Sequence, residues 1–205
     1  MKTIVFCFTI LLMFFTLGTY AQQENSLRIH QVGITFTSLN QFGINYKTGN
    51  EKTLLRLSLL SLNLRNQAEW GRPEDSLDVK TQGYGVGFRL GFEKRVPVVA
   101  HLDFIWGIEA GCNYSYNKQI AKAPYSNLER KDWNTTPLVN FIAGVNYTIS
   151  DHLVIGAEIT PGIQYSYGKT KTINNSQTVE TTSSSFGFGF SSSSASLSLA
   201  YRFAK

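Results

Sequence analysis

Apolar and polar positions alternate with a period of two over most of this chain. The clearest run is Tyr84-Gly85-Val86-Gly87-Phe88-Arg89-Leu90-Gly91-Phe92-Glu93, where even positions are large and apolar and odd ones are glycine or charged. Residues that recur every second position share one face of a β-strand. The run therefore predicts a strand with one apolar face and one face of small or charged groups. Leu102, Phe104, Trp106, Ile108 and Ala110 alternate likewise with Asp103, Ile105, Gly107, Glu109 and Gly111, which predicts its hairpin partner.

The same unit recurs along the chain. A first strand is expected over Arg28 to Ser38, a second around Phe42, Ile44 and Tyr46, and a turn at Thr48 to Glu51. A third, Lys52 to Leu64, switches its apolar phase from Leu55, Leu57 and Leu59 to Leu60, Leu62 and Leu64, as a bulge or a stretch apolar on both faces would. The stretch from Tyr84 is the fourth and His101 to Tyr116 the fifth, joined by a short connection over Lys94 to Ala100. The sixth carries Pro137 to Tyr147, and the seventh runs from Leu153 to Tyr167. Phe186, Phe188 and Phe190, then Leu197, Leu199, Tyr201 and Phe203, are read as one last strand bulged at Ser191 to Ser194, the alternative being a hairpin there. Polar stretches at Arg65 to Lys80, Asn117 to Asn134 and Lys169 to Ser183 read as long loops. The expected architecture is all-β: an eight-stranded antiparallel up-and-down transmembrane β-barrel, with long connections at one end and short turns at the other.

The amino terminus changes the compartment. Lys2, the apolar stretch Ile4 to Leu17 and the Thr19-Tyr20-Ala21 site have the form of a cleaved export signal. Residues 1–21 are thus expected to be removed, leaving a single domain over 22–205 that begins at Gln22. The apolar run is shorter than the roughly 18 residues a helical anchor needs. No cysteine follows Ala21, so a lipid anchor is not indicated. Beyond the leader no long apolar run exists, so a membrane role requires strands. Cys112 stands alone after the leader, which excludes an intrachain disulfide. The net charge of +5 is dispersed, and no basic stripe suggests nucleic acid.

Alternation alone does not say which face meets lipid. The face opposite the aromatics is rich in glycine and carries Arg56, Arg89, Glu93, Asp103, Glu109, Glu158 and Arg202. A basic side chain on the lipid side near midplane costs about 2–4 kcal/mol, so these residues are expected to point inward as a polar network. Tyrosines sort by predicted strand direction. Tyr84, Tyr114, Tyr116, Tyr165 and Tyr167 fall at one end, and Tyr46, Tyr147, Tyr201 and Phe203 at the other. Two aromatic girdles are the expected arrangement where rings meet lipid headgroups.

With its Gly-x-Gly-x-aromatic strand Tyr84 to Phe92 and its closing Leu197-Ser198-Leu199-Ala200-Tyr201-Arg202-Phe203, the chain resembles the small outer-membrane β-barrel proteins of Gram-negative bacteria, of the OmpX or OmpA-barrel, porin-like type. The resemblance covers roughly Arg28 to Phe203. It implies an outer-membrane location, outer-membrane lipid as surroundings, and the barrel-insertion machinery as a partner in biogenesis. That machinery would read a terminal aromatic; here Phe203 is followed by Ala204 and Lys205. Roles in the family range over surface adhesion and defence, and the resemblance names no surface ligand.

Little in the chain points to chemistry. His30, His101 and His152 all fall at one end, where convergence with Asp151 would be needed for a metal site. Asp103, Glu109 and Glu158 have basic partners within reach and read as ion pairs before acid–base groups. Neither an enzyme nor a cofactor is expected. Asn113, Asn134, Asn146 and Asn174 begin glycosylation-type triplets, which in a bacterial protein are coincidental. Lys118, Lys122, Arg130 and Lys131 with Trp133, and Lys169 with Lys171, read first as solvated loop charge. The leading expectation is a structural or surface-interaction protein with a side-chain-filled interior. The alternatives are a narrow solute channel, a membrane-embedded lipid or peptide enzyme, and a soluble lipocalin-like ligand-binding barrel.

Overall fold

The computed structural model describes residues 28–38, 41–70, 78–123, 126–175, 177–190 and 195–204. The leader and its cleavage site lie outside them. The described chain is all-β, with β1 (Ile29–Ser38), β2 (Gln41–Gly49), β3 (Thr53–Trp70), β4 (Asp78–Val99), β5 (Leu102–Ala123), β6 (Ser126–Thr148), β7 (Leu153–Ile159), β8 (Gly162–Asn174), β9 (Gln177–Gly189) and β10 (Ala195–Ala204). All pairings are antiparallel, in the order β5-β4-β3-β2-β1-β10-β7-β6-β8-β9, and β5 also pairs with β6.

Ten strands replace the expected eight, and they are not evenly arranged round one axis, so the eight-stranded up-and-down barrel is not what forms. Two interruptions account for the count. The seventh expected strand divides into β7 and β8 at Thr160-Pro161, because proline has no N–H to give to a ladder. Its carbonyl still accepts from Phe141 N at 2.8 Å, so β6 runs unbroken alongside both pieces. The last expected strand divides into β9 and β10 after Gly189, whose φ of +113° suits glycine and few other residues. Here β9 pairs with β8, whereas β10 pairs with β7 and β1. The serine run 191–194 lies outside the described residues.

The three polar stretches read as loops are, where described, strand. β3 continues to Trp70 and β4 starts at Asp78; β5 and β6 reach Ala123 and Ser126; β8 and β9 reach Asn174 and Gln177. These hairpins lack an apolar face, so they show no period-two signal. Backbone ladders and cross-strand charge pairs hold them: Lys118 Nζ lies 2.8 Å from Glu129 and Lys169 Nζ 2.8 Å from Glu180. The phase switch between Leu59 and Leu60 is not a bulge: the β3–β4 register is unbroken there, with Leu59 opposite Phe88 and Leu60 opposite Gly87. The strand thus carries leucine on both faces, and the register shift comes later, between Leu62 and Arg65. At the other end the connections are tight. Asn50 Oδ1 accepts from the Lys52 and Thr53 amides, turning the chain from β2 into β3.

Burial is inverted relative to a water-soluble sheet. Val32, Ile34, Phe92, Phe104, Ile108, Phe141 and Ile155 are exposed, while Gln31, Asn45, Lys47, Arg56, Glu93, Arg95 and Glu109 are buried. A small apolar set, Leu54, Ile105, Ile142 and Val154, is buried among them.

Candidate functional site

The buried side chains meet in one ionic cluster. Glu93 of β4 takes an ion pair from Lys47 of β2 at 2.7 Å, from Arg56 of β3 at 3.3 Å and from Arg95 at 3.0 Å. Arg56 also donates to Glu158 of β7, from Nη1 at 3.0 Å and from Nη2 at 2.8 Å. Its Nε faces Glu109 Oε2 of β5 at 3.4 Å, an ion-pair distance without hydrogen-bond alignment. Glu109 Oε1 accepts from Arg89 Nη1 at 3.1 Å and from Asn140 Nδ2 of β6 at 3.0 Å. Arg95 Nη2 reaches Gln31 Oε1 of β1 at 2.6 Å. Five strands of the sheet, β2, β3, β4, β5 and β7, thus contribute to one connected set of charges, with β1 and β6 each adding an amide.

Space for these groups comes from the residues across the ladder. Gly107 stands opposite Glu93, Gly91 opposite both Glu109 and Arg56, Gly111 opposite Arg89, and Gly144 opposite Glu158. At Gly107 a Cβ would collide with the carbonyl oxygen of Phe92. Five of the charged side chains therefore lie beside a bare backbone, whereas Lys47 has Gln31 and Arg56 opposite it and Arg95 has Ile105.

The structure brings together Arg56, Arg89, Glu93, Glu109 and Glu158. Asp103 and Arg202 stay apart from them. Both are half-buried near the β4–β5 and β6–β7 turns, and Arg202 Nη2 lies 3.4 Å from Thr148 Oγ1. Sequence reading missed Lys47, Arg95, Gln31 and Asn140. Parity was enough to find the first: Lys47 shares a face with Asn45, opposite Tyr46. Arg95 follows Glu93 by two and lies in β4, which runs on to Val99 through the Lys94 to Ala100 stretch where Pro97 signals a connection.

Two groups of rings line the outer face. Tyr84 lies 6.3 Å from Tyr114 and 5.6 Å from Tyr116, which lies 5.6 Å from Trp133. Tyr165 and Tyr167 are exposed on β8 at the same end of the strands, with Tyr167 opposite Thr135. At the other end His30 stacks on Tyr46 at 6.2 Å, His152 on Tyr201 at 5.4 Å, and Tyr201 meets Phe203 at 4.7 Å. Tyr147 is exposed opposite Leu102 and Ile155. His30 Nδ1 and the Tyr46 hydroxyl are 2.8 Å apart, and His101 occupies a turn with φ of +67°. Among the described residues no group of histidine, cysteine or carboxylate is placed to hold a metal ion.

No protein-family model matches this chain, and no curated protein matches it. Three solved structures give the scale of likeness. The ferric yersiniabactin uptake receptor FyuA of Yersinia pestis matches at TM-score 0.47 and 10% identity, over 78% of this chain and 24% of that one. A major outer membrane protein from Thermus thermophilus matches at 0.45 and 12%, over 86% and 99%. Ail, the attachment invasion locus protein of Yersinia pestis, matches at 0.36 and 12%, over 87% and 97%. This chain thus spans only 24% of the FyuA chain. All three scores fall below 0.5, too low to carry function across.

In the polar hairpins the charge pairs have a definite electrostatic sense. Hydrogen bonds from Lys118 and Lys131 hold the Glu129 carboxyl below its ordinary value, and Lys169 does the same for Glu180.

Proposed function

We propose that this is an outer-membrane β-sheet protein whose apolar face meets lipid, whose ionic cluster packs the inner face, and whose polar hairpins make contacts beyond the membrane. One observation carries the reading: apolar and charged residues have exchanged places. Ile44 and Phe141 are 56% and 50% exposed, while Glu93, Glu109 and Arg56 keep 0%, 2% and 4% of their surface. Leaving one large apolar side chain in water forgoes about 1.5–3 kcal/mol. Among the described residues thirty-four large hydrophobic residues are exposed and seven hydrophobic residues are buried, an arrangement that favours a lipid surrounding and opposes a soluble ligand-binding sheet.

Dimensions agree. Trp133 and Tyr147 lie fourteen positions apart on β6. At about 3.3 Å per residue and a tilt near 45°, they are separated by roughly 33 Å along the membrane normal, a fitting distance for rings flanking an apolar band of about 25 Å. The buried ion pairs and the apolar set around Leu54 and Ile142 favour a packed interior over a continuous solute path. A structural or surface-interaction role follows, with the hairpin ends as the contact region.

The test uses single cysteines in a Cys112→Ser background. Ile108→Cys and Phe141→Cys on the outer face should react with a lipid-soluble maleimide and resist a charged one, and Ser58→Cys should resist both until unfolding. The protein should sediment with outer membranes. Recovery as a soluble periplasmic protein would overturn the proposal.

A further inference from the structure

On the side of the ionic cluster toward the β8–β9 hairpin, the inner face opens into a cavity of about 220 Å³. Arg89 forms its boundary with the cluster: it lines this cavity and also a much smaller one, about 20 Å³, beside Arg56, Glu109 and Glu158. The walls of the larger cavity carry the amides of Asn113, Asn140 and Gln164, with Gly187 and Phe188 of β9 at one side, and among the described residues no acidic side chain lines it.

Charge in the cluster does not balance. Lys47, Arg56, Arg89 and Arg95 face Glu93, Glu109 and Glu158, four cations against three carboxylates. Arg89 is the member left short. Its one carboxylate partner, Glu109, is shared with Arg56 and also takes the Asn140 amide. The Arg89 side chain retains 12% of its surface, more than any other cation of the cluster. A surplus guanidinium in a partly desolvated cavity attracts an anion, and its planar fork suits a carboxylate. The neighbouring amides both donate and accept, as hydroxyl groups require. At about 30 Å³ per water, the cavity equals roughly seven waters, room for a small organic molecule.

We infer that this cavity is a binding site for a small organic monoanion, a hydroxylated carboxylate, with its carboxylate on Arg89 and its hydroxyls on the amides of Asn113, Asn140 and Gln164. The site does not depend on what surrounds the outer face.

Calorimetric titration of the mature chain in detergent micelles tests this with a matched pair, gluconate and its uncharged counterpart sorbitol, and with inorganic phosphate. Gluconate should bind saturably at one site, with sorbitol at least tenfold weaker and phosphate at least tenfold weaker. Arg89→Gln should weaken gluconate at least tenfold. Gly187→Leu supplies a second variant that removes no charge. A Cβ there meets the flexible Gln164 side chain at 3.1 Å, so the strand tolerates the change and leucine fills the cavity. It too should weaken gluconate at least tenfold. Absence of saturable gluconate binding, equal binding of sorbitol, equal binding of phosphate, or indifference to Gly187→Leu would each overturn the inference.

Discussion

Arg56 grips Glu158 with two parallel hydrogen bonds, at 3.0 and 2.8 Å, across 102 residues of sequence. In the sheet their strands, β3 and β7, are separated by β2, β1 and β10. The contact therefore crosses the inner face and draws two distant parts of the sheet together. Removing one partner strands the other as a buried charge, which costs about 3–5 kcal/mol. Arg56→Met and Glu158→Met should each lower unfolding stability by about that amount. The double Arg56→Met/Glu158→Met should cost clearly less than the sum, since it leaves no orphan at this pair. Urea unfolding of protein refolded into lipid vesicles measures all three, and strict additivity would refute the coupling.

Glycines opposite the cluster make a second expectation. Gly107→Ala places a methyl against the backbone carbonyl of Phe92, beside Glu93, where nothing flexible yields. A loss of about 1–3 kcal/mol is expected from overpacking. At Gly187 a methyl meets only the movable Gln164 side chain, so Gly187→Ala should be nearly neutral. Unfolding midpoints of the two variants, compared side by side, decide whether glycine serves the close approach or is merely frequent.

Acid should loosen the β5–β6 hairpin. Glu129 is held below its ordinary value by hydrogen bonds from Lys118 and Lys131. A carboxyl lowered in the folded state adds stability that is complete above the unfolded value, about 4.3, and disappears as pH falls through the lower folded value. Hydrogen-exchange protection of the ladder between residues 118 and 131, corrected for intrinsic rates, should therefore drop below about pH 4. In Glu129→Gln that drop should vanish, with protection low at every pH.

Tryptophans report depth. Trp106 lies on the outer face of β5 with Lys94 Nζ 5.4 Å from its ring centre, whereas Trp133 sits beside Tyr116 in the ring group at the hairpin end. In vesicles of brominated lipids, bromines deep in the acyl chain should quench a Trp106-only protein more strongly. Bromines near the headgroup should quench a Trp133-only protein more strongly. The reverse order would remove the proposed membrane position of the sheet.

A good deal of this was legible along the chain, for a local reason. Strand parity is fixed by backbone geometry, so an alternating run assigns each side chain to a face wherever the strand goes. That is how Arg56, Arg89, Glu93, Glu109 and Glu158 could be grouped on one face, and how the tyrosines could be sorted by end. Parity fails where a face has no apolar residues. The ladders from Lys118 to Lys131 and from Lys169 to Glu180 are polar on both sides, and polarity alone reads as loop.

By itself, then, the amino-acid sequence determined the all-β class, the two faces of each central strand, and the apolar–charged division between them. Tertiary structure decided the rest. It decided that Pro161 and the chain after Gly189 break two strands, so ten form where alternation implied eight, because a missing N–H and a positive φ act on the ladder and not on the pattern. It also decided that Lys47 and Arg95 complete the cluster while Asp103 and Arg202 do not. Partnership depends on height along the sheet, and only the register between strands sets that.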